Sequence, residues 1–132
     1  MKFWNELDGS KFFSMVFSGN VVIDRVKLFS LSVDNNQSTL SLLFDIKELP
    51  DTVPEKWKEI SYNACRIGIT GSEVEGLIVK QLPTSEYLKL TIEKAGSCFL
   101  VSAKSERSMI EFTASFIALR DPTVYLTKTP FV

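Results

Sequence analysis

The chain contains no histidine among its 132 residues. Without imidazole there is no Ser-His or Cys-His nucleophile pair, no His-ligated metal and no ordinary general base near neutral pH. The two cysteines, Cys65 and Cys98, are too few for a four-thiolate zinc site. They read as reduced core residues rather than a disulfide. A glycine-rich dinucleotide fingerprint is also missing. Gly71-Ser72-Glu73-Val74-Glu75-Gly76 has the glycine spacing of a phosphate loop, but Leu77-Ile78 stand where Lys and Ser/Thr are required. No apolar run is long enough to span a bilayer. Nor does either charge dominate: 15 Lys and Arg face 16 Asp and Glu, a net charge of −1. That balance lacks the basic field a nucleic-acid binder needs to displace counterions from phosphates. A carboxylate pair doing acid–base work stays open, since Asp and Glu need no helper.

What is present is a core. Hydrophobic content of 45% with ten Phe is enough for one domain over residues 1–132 to bury its own interior. The stretch Tyr87–Leu119 organises it. Leu88, Leu90 and Ile92 alternate with Lys89, Thr91 and Glu93; Phe99, Val101 and Ala103 follow a turn at Ala95-Gly96-Ser97. A third run places Ile110, Phe112, Ala114, Phe116 and Ala118 inward, with Met109, Glu111, Thr113 and Ser115 outward. Successive strand side chains point to opposite faces, so each run covers a core with one side and meets water with the other. Short turns between the runs make an antiparallel meander.

Upstream, Lys11–Ser18 reads as a short helix capped by Ser10 and ended by Gly19, with Phe12, Phe13, Val16 and Phe17 on one face. Two turns do not hold alone in water, so that face must dock on the sheet, with Trp4 and Leu7 in the same seam. Val21–Val33 is β-prone, but its apolar parity changes near Leu28-Phe29, which predicts a bulge or a strand passing between two faces. Asp34-Asn35-Asn36-Gln37 turns the chain into Leu40–Ile46, making a hairpin. Asn63–Ile69 and Val74–Leu82 are further strands; Asp121-Pro122 interrupts pairing, and Thr123–Thr127 adds a short edge strand. The expected fold is α+β, mainly β. It is an antiparallel sheet, curved or two-layered, of about seven strands with a short N-terminal helix.

Three places invite a functional reading. Glu73 and Glu75 fall two apart on one strand face, where like charges can raise a pKa, although beside a turn they read better as solvated. Asp24 lies in an apolar run; a rim position suits it better than burial, which would need Arg25 or a backbone amide in compensation. Trp57 sits in the charged loop Leu49–Ile60. A large aromatic there is either a lid over a core edge or an anchor for a partner. This loop and its acidic flank supply the candidate partner-binding residues Glu48, Asp51, Glu55, Trp57 and Glu59. No catalytic, metal-binding or cofactor-binding residue is expected.

Several stretches resemble one known family. Trp4-Asn5-Glu6-Leu7-Asp8-Gly9-Ser10, the Pro54-Glu55-Lys56-Trp57 loop with Tyr62-Asn63, Glu75-Gly76-Leu77, and Phe112-Thr113-Ala114-Ser115-Phe116 with Tyr125 are similar to the immunity protein 50 family of bacterial polymorphic toxin systems. One departure is that Ile23-Asp24 stands where the family commonly opens its first strand with His-Asp. The resemblance implies a cytoplasmic bacterial protein that binds and neutralises a cognate protein toxin domain by surface complementarity, with no catalysis, no cofactor, no nucleic acid and no membrane. The opening residues agree on location: Glu6 and Asp8 interrupt the apolar segment a signal peptide requires. Two other readings stay open, a β domain binding a small apolar ligand and a structural or interaction subunit. Oligomeric state is left undetermined.

Overall fold

A computed structural model describes residues 1–132. Eight strands form one antiparallel sheet, with the chain 52% strand and 9% helix. The strands are β1 (Arg25–Asp34), β2 (Thr39–Ile46), β3 (Ala64–Ser72), β4 (Glu75–Lys80), β5 (Tyr87–Ala95), β6 (Cys98–Lys104), β7 (Met109–Ala114) and β8 (Phe116–Tyr125). One helix, α1 (Lys11–Val16), precedes them, and single 3-10 turns lie at Trp4–Glu6 and Glu55–Trp57.

The lateral order is β4-β7-β6-β5-β1-β2-β3-β8. Its two ends are joined by the chain itself, because β4 continues β3 and β8 continues β7. The ladder of β3 with β8 reaches Ser72↔Phe116, and that of β4 with β7 resumes at Glu75↔Thr113. Between them the Ser115 N–H donates to the Ser72 carbonyl at 3.0 Å. The pairing circuit therefore closes, and the sheet curls around its core as a barrel-like layer. The period-two residues fill the inside: Leu40, Leu42 and Phe44 from β2, Ile67 and Ile69 from β3, Leu88, Leu90 and Ile92 from β5 are all at most 1% exposed. Packing is tight enough that a Cβ on Gly71 would meet Phe112 at 3.0 Å and Ala114 at 3.3 Å.

The phase change in the first long run is a bulge. Leu28 pairs with Phe44 and Ser30 with Leu43, so Phe29 is the extra residue and is thrown outward, 61% exposed. A second register change was not legible. Phe116 and Ala118 point outward while Ile117 and Leu119 are buried, the reverse of the expected alternation. The break at Ser115, where the chain passes from β7 to β8, shifts the parity by one. Asp121-Pro122 does not interrupt β8. The pair is absorbed as an irregularity between Arg120↔Gly68 and Thr123↔Arg66, and Pro122 is buried there.

The N-terminal segment closes the core against Phe44, whose ring lies 5.3 Å from that of Trp4. Phe13, Val16 and Phe17 are buried as expected, and Phe12 is half-buried. The helix ends differ from expectation. Ser10 makes no capping bond; its hydroxyl donates to the Asn5 carbonyl at 3.0 Å. Gly19 is not left-handed, and the chain leaves the helix through an extended Phe17. On the other side of the helix Gly9 does adopt positive φ (+80°), and a Cβ there would lie 2.6 Å from the Leu119 carbonyl oxygen. That approach lets the Leu119 N–H donate to the Asp8 carbonyl at 2.7 Å, covering part of the free edge of β8. No helix is long and apolar enough to cross a membrane.

Candidate partner-binding surface

The segment between β2 and β3 is held from beneath. The Asp51 and Thr52 amides both donate to the Val16 carbonyl at 3.0 Å, tying the segment to the end of α1. The Asp51 carboxylate accepts the Ser18 N–H at 2.9 Å and its hydroxyl at 2.6 Å. The Ser18 hydroxyl, then its amide, hold this carboxyl below the usual aspartate range. Trp57 is only 9% exposed and meets Phe12 edge-on, ring centroids 5.7 Å apart. It is a lid over the core. Of the five candidate contacts, Trp57 and Asp51 are thus committed to positioning the segment. Glu48, Glu55 and Glu59 are exposed, and Glu55 pairs with Lys58 at 2.9 Å. Leu49 and Ile60 stand 43% and 46% exposed among them.

The other places singled out in the sequence are structural or solvated. Asp24 is an exposed rim residue paired with Lys89, whose hydrogen bond lowers its pKa. Glu73 lies not on a strand but in the turn from β3 to β4, with φ +54°, and Glu75 is exposed at the start of β4. Cys65 is buried and its thiol is pushed up to about 12 by burial, then by Asp45 and Glu48. Cys98 is half-buried at the β5–β6 turn rather than in the core. Both are free thiols.

One cluster was not found from the sequence. Beside the ends of the same segment, on the outward face of the sheet, Asp45 accepts the Arg66 Nε–H at 2.9 Å and the Tyr125 hydroxyl. Arg66 Nη2 donates to the Tyr125 oxygen at 2.8 Å, and its guanidinium lies 3.7 Å from the centre of the Phe29 ring. Asp45 is 7% exposed despite facing outward. Burial first, and then the hydrogen bond to Asp45, raise the Tyr125 phenol to about 12. The available signal was Asp45 itself, the only charge within Leu40–Ile46, whose alternation assigns it to the outside.

The larger clefts lie at the surface. One of about 570 Å³ is lined by Asp24, Arg25, Glu86, Lys89, Lys104 and Arg107 among others, and one of about 560 Å³ includes Arg66, Arg120 and Asp121. Both are open clefts with charged side chains in their walls, the second also with Leu43, Ile67 and Leu119, and neither is an enclosed apolar pocket.

Several of the residues that carried the resemblance hold the scaffold, while others, Glu75, Gly76, Leu77 and Phe116 among them, are exposed. Trp4 is core, the Asn5 side chain accepts the Val21 N–H at 2.9 Å, and Asn63 exchanges two hydrogen bonds with the Thr127 backbone at 3.0 and 2.9 Å. In comparison with known proteins, the family model described as "Immunity protein 50" matches residues 9–125 of this chain. No curated protein and no solved structure matches it.

Proposed function

The chain belongs to the immunity protein 50 family, and from that membership we propose that it binds and neutralises a cognate bacterial protein toxin by covering it, in the cytoplasm and without chemistry of its own. The family match over residues 9–125 is the observation that carries this reading. The structure is compatible with it in a specific way. Asp45 is engaged with Arg66 and Tyr125 and Asp51 with Ser18, Asp24 pairs with Lys89 at the surface, and Glu73 and Glu75 are solvated.

The contact surface in this proposal is the segment Leu49–Ile60 with its acidic flank. Glu48, Glu55 and Glu59 supply rim charges that steer and select the partner, and Leu49 and Ile60 supply apolar contact. Trp57 and Asp51 hold that surface in one shape, which lowers the ordering cost of binding. The test is to co-express the chain with a candidate toxin domain, sought among the products of neighbouring genes. Cells making the toxin alone should stop growing, and cells making both should grow. Growth arrest that persists with this chain folded and abundant would refute the reading.

A further inference from the structure

Four features of the outward face of β1, β2, β3 and β8 belong together. Phe29 is placed there by a bulge, and bulges re-aim side chains at the cost of a regular ladder. Its ring is 61% exposed and stacks on Arg66, which is itself fixed by Asp45 and Tyr125. Arg120, outward on β8 opposite Gly68, makes no ion pair in the chain and shares a cleft of about 560 Å³ with Arg66. Between them Gly68 is covered: the Leu43 side chain lies 2.6 Å and the Arg120 stem 3.4 Å from where its Cβ would stand, so the missing side chain lets Arg120 lie close across β3.

Stability alone is a poor reason for this arrangement. A buried ion pair contributes little beyond what an apolar pair of the same size would. What Asp45 and Tyr125 do achieve is to hold the Arg66 guanidinium over the Phe29 ring. Of its five N–H groups, one goes to Asp45 and one to Tyr125, and the rest stay available. Aromatic rings and pre-set arginines are the residue types that anchor protein interfaces, and a planar guanidinium matches a carboxylate with two parallel hydrogen bonds. Lys27 is level with Asp45 and Arg66 across β1, β2 and β3, so on this part of the face Lys27, Arg66 and Arg120 outnumber Asp45 and Asp121 by one charge. Four strands about 4.8 Å apart and some eight residues long present roughly 500 Å², most of the ~800 Å² per partner of a standard interface. The face is also continuous with the Leu49–Ile60 segment, which leaves β2 after Ile46 and re-enters at Ala64.

We propose that this face, centred on Phe29, Arg66 and Arg120, is a second docking surface for the toxin and receives a carboxylate-bearing loop of it. The acceptor sits between Arg66 and Arg120, and Phe29 packs beside it. This rests on the neutralisation reading and extends it, giving the inhibitor an acidic rim on one side of its contact and a basic anchor on the other.

The test is calorimetric titration of the purified toxin domain with the full chain and two variants. Arg120→Glu should weaken binding by about 30-fold or more and Phe29→Ala by about 10-fold or more. Both residues are exposed, so melting temperatures should stay within about 3 °C of the parent. Raising the salt should weaken the parent more than Arg120→Glu. If the parent binds and both folded variants bind within about 3-fold of it, this face is not the anchor and the neutralisation reading stands alone. If the parent itself does not bind, both fall.

Discussion

Replacing Trp57 by alanine should destabilise the protein, because the indole is packed under the surface rather than offered on it. Its side chain is 9% exposed and belongs to the contiguous core that includes Phe44 and Ile46. A buried tryptophan removes roughly 200 Å² from water, and at about 25 cal/mol per Å² that corresponds to ~5 kcal/mol. The site lies at the rim, where the segment can partly collapse into the space, so a loss of about 3 kcal/mol is the working figure, at the low end for Trp→Ala. Unfolding entropy of about 2.1 cal/mol/K per residue then gives a fall in Tm of about 10 °C for a chain of this length. Differential scanning calorimetry reads this directly. A double-mutant cycle with Phe12→Ala should recover a coupling of about 0.5–1.5 kcal/mol from the edge-on pair. A Tm within about 3 °C of the parent, together with lost toxin binding, would make Trp57 an exposed anchor and refute the packing argument.

Other outcomes follow from particular contacts. Ile117→Ala should cost about 2–4 kcal/mol in denaturant unfolding while Phe116→Ser stays within ~0.5 kcal/mol; the reverse order would place the register break elsewhere. Tyr125 should ionise near pH 12 in a 295 nm absorbance titration, and Tyr125→Phe should remove that last component; its raised pKa favours the fold below the ordinary tyrosine range, a contribution lost as pH climbs through the folded value. Asp51 acts in the opposite limb, since its depressed pKa contributes stability above the ordinary aspartate range that disappears as pH falls through the folded value. Asp51→Asn should therefore flatten the acid side of the stability curve, and an unchanged acid limb would show that the Ser18 contact does not form in solution.

How much of this was legible in the sequence depended on whether the cause was local. Alternation in Leu40–Ile46 and Leu88–Ile92 names strands and their buried faces because burial has period two. The Phe29 bulge was visible as a conflict of parity. The break at Ser115 left no such mark, since Ala114-Ser115-Phe116 alternates perfectly in polarity even though Phe116 faces water. Pro122 marks a lost donor, but whether that breaks a strand or is absorbed by an irregularity depends on the partner strand. Gly19 looked like a helix stop, yet the stop comes from Asp51, 33 residues away from Ser18. The Asp45–Arg66–Tyr125 cluster joins residues separated by 21 and 80 positions. Each is ordinary alone, and only the strand register makes them one site. Of the candidate contacts, the dual possibility for Trp57 needed the position of Phe12 to decide its packing.

An inhibitor that acts by occupying its partner, as proposed for this chain, is tested most directly by the stoichiometry of inhibition. Titrating the purified protein into a fixed amount of active toxin domain should abolish activity linearly, ending at one molecule of inhibitor per toxin, with the mass of both proteins unchanged afterwards. Silencing by a small fraction of an equivalent, or a toxin left altered in mass, would mean that the chain reacts rather than covers.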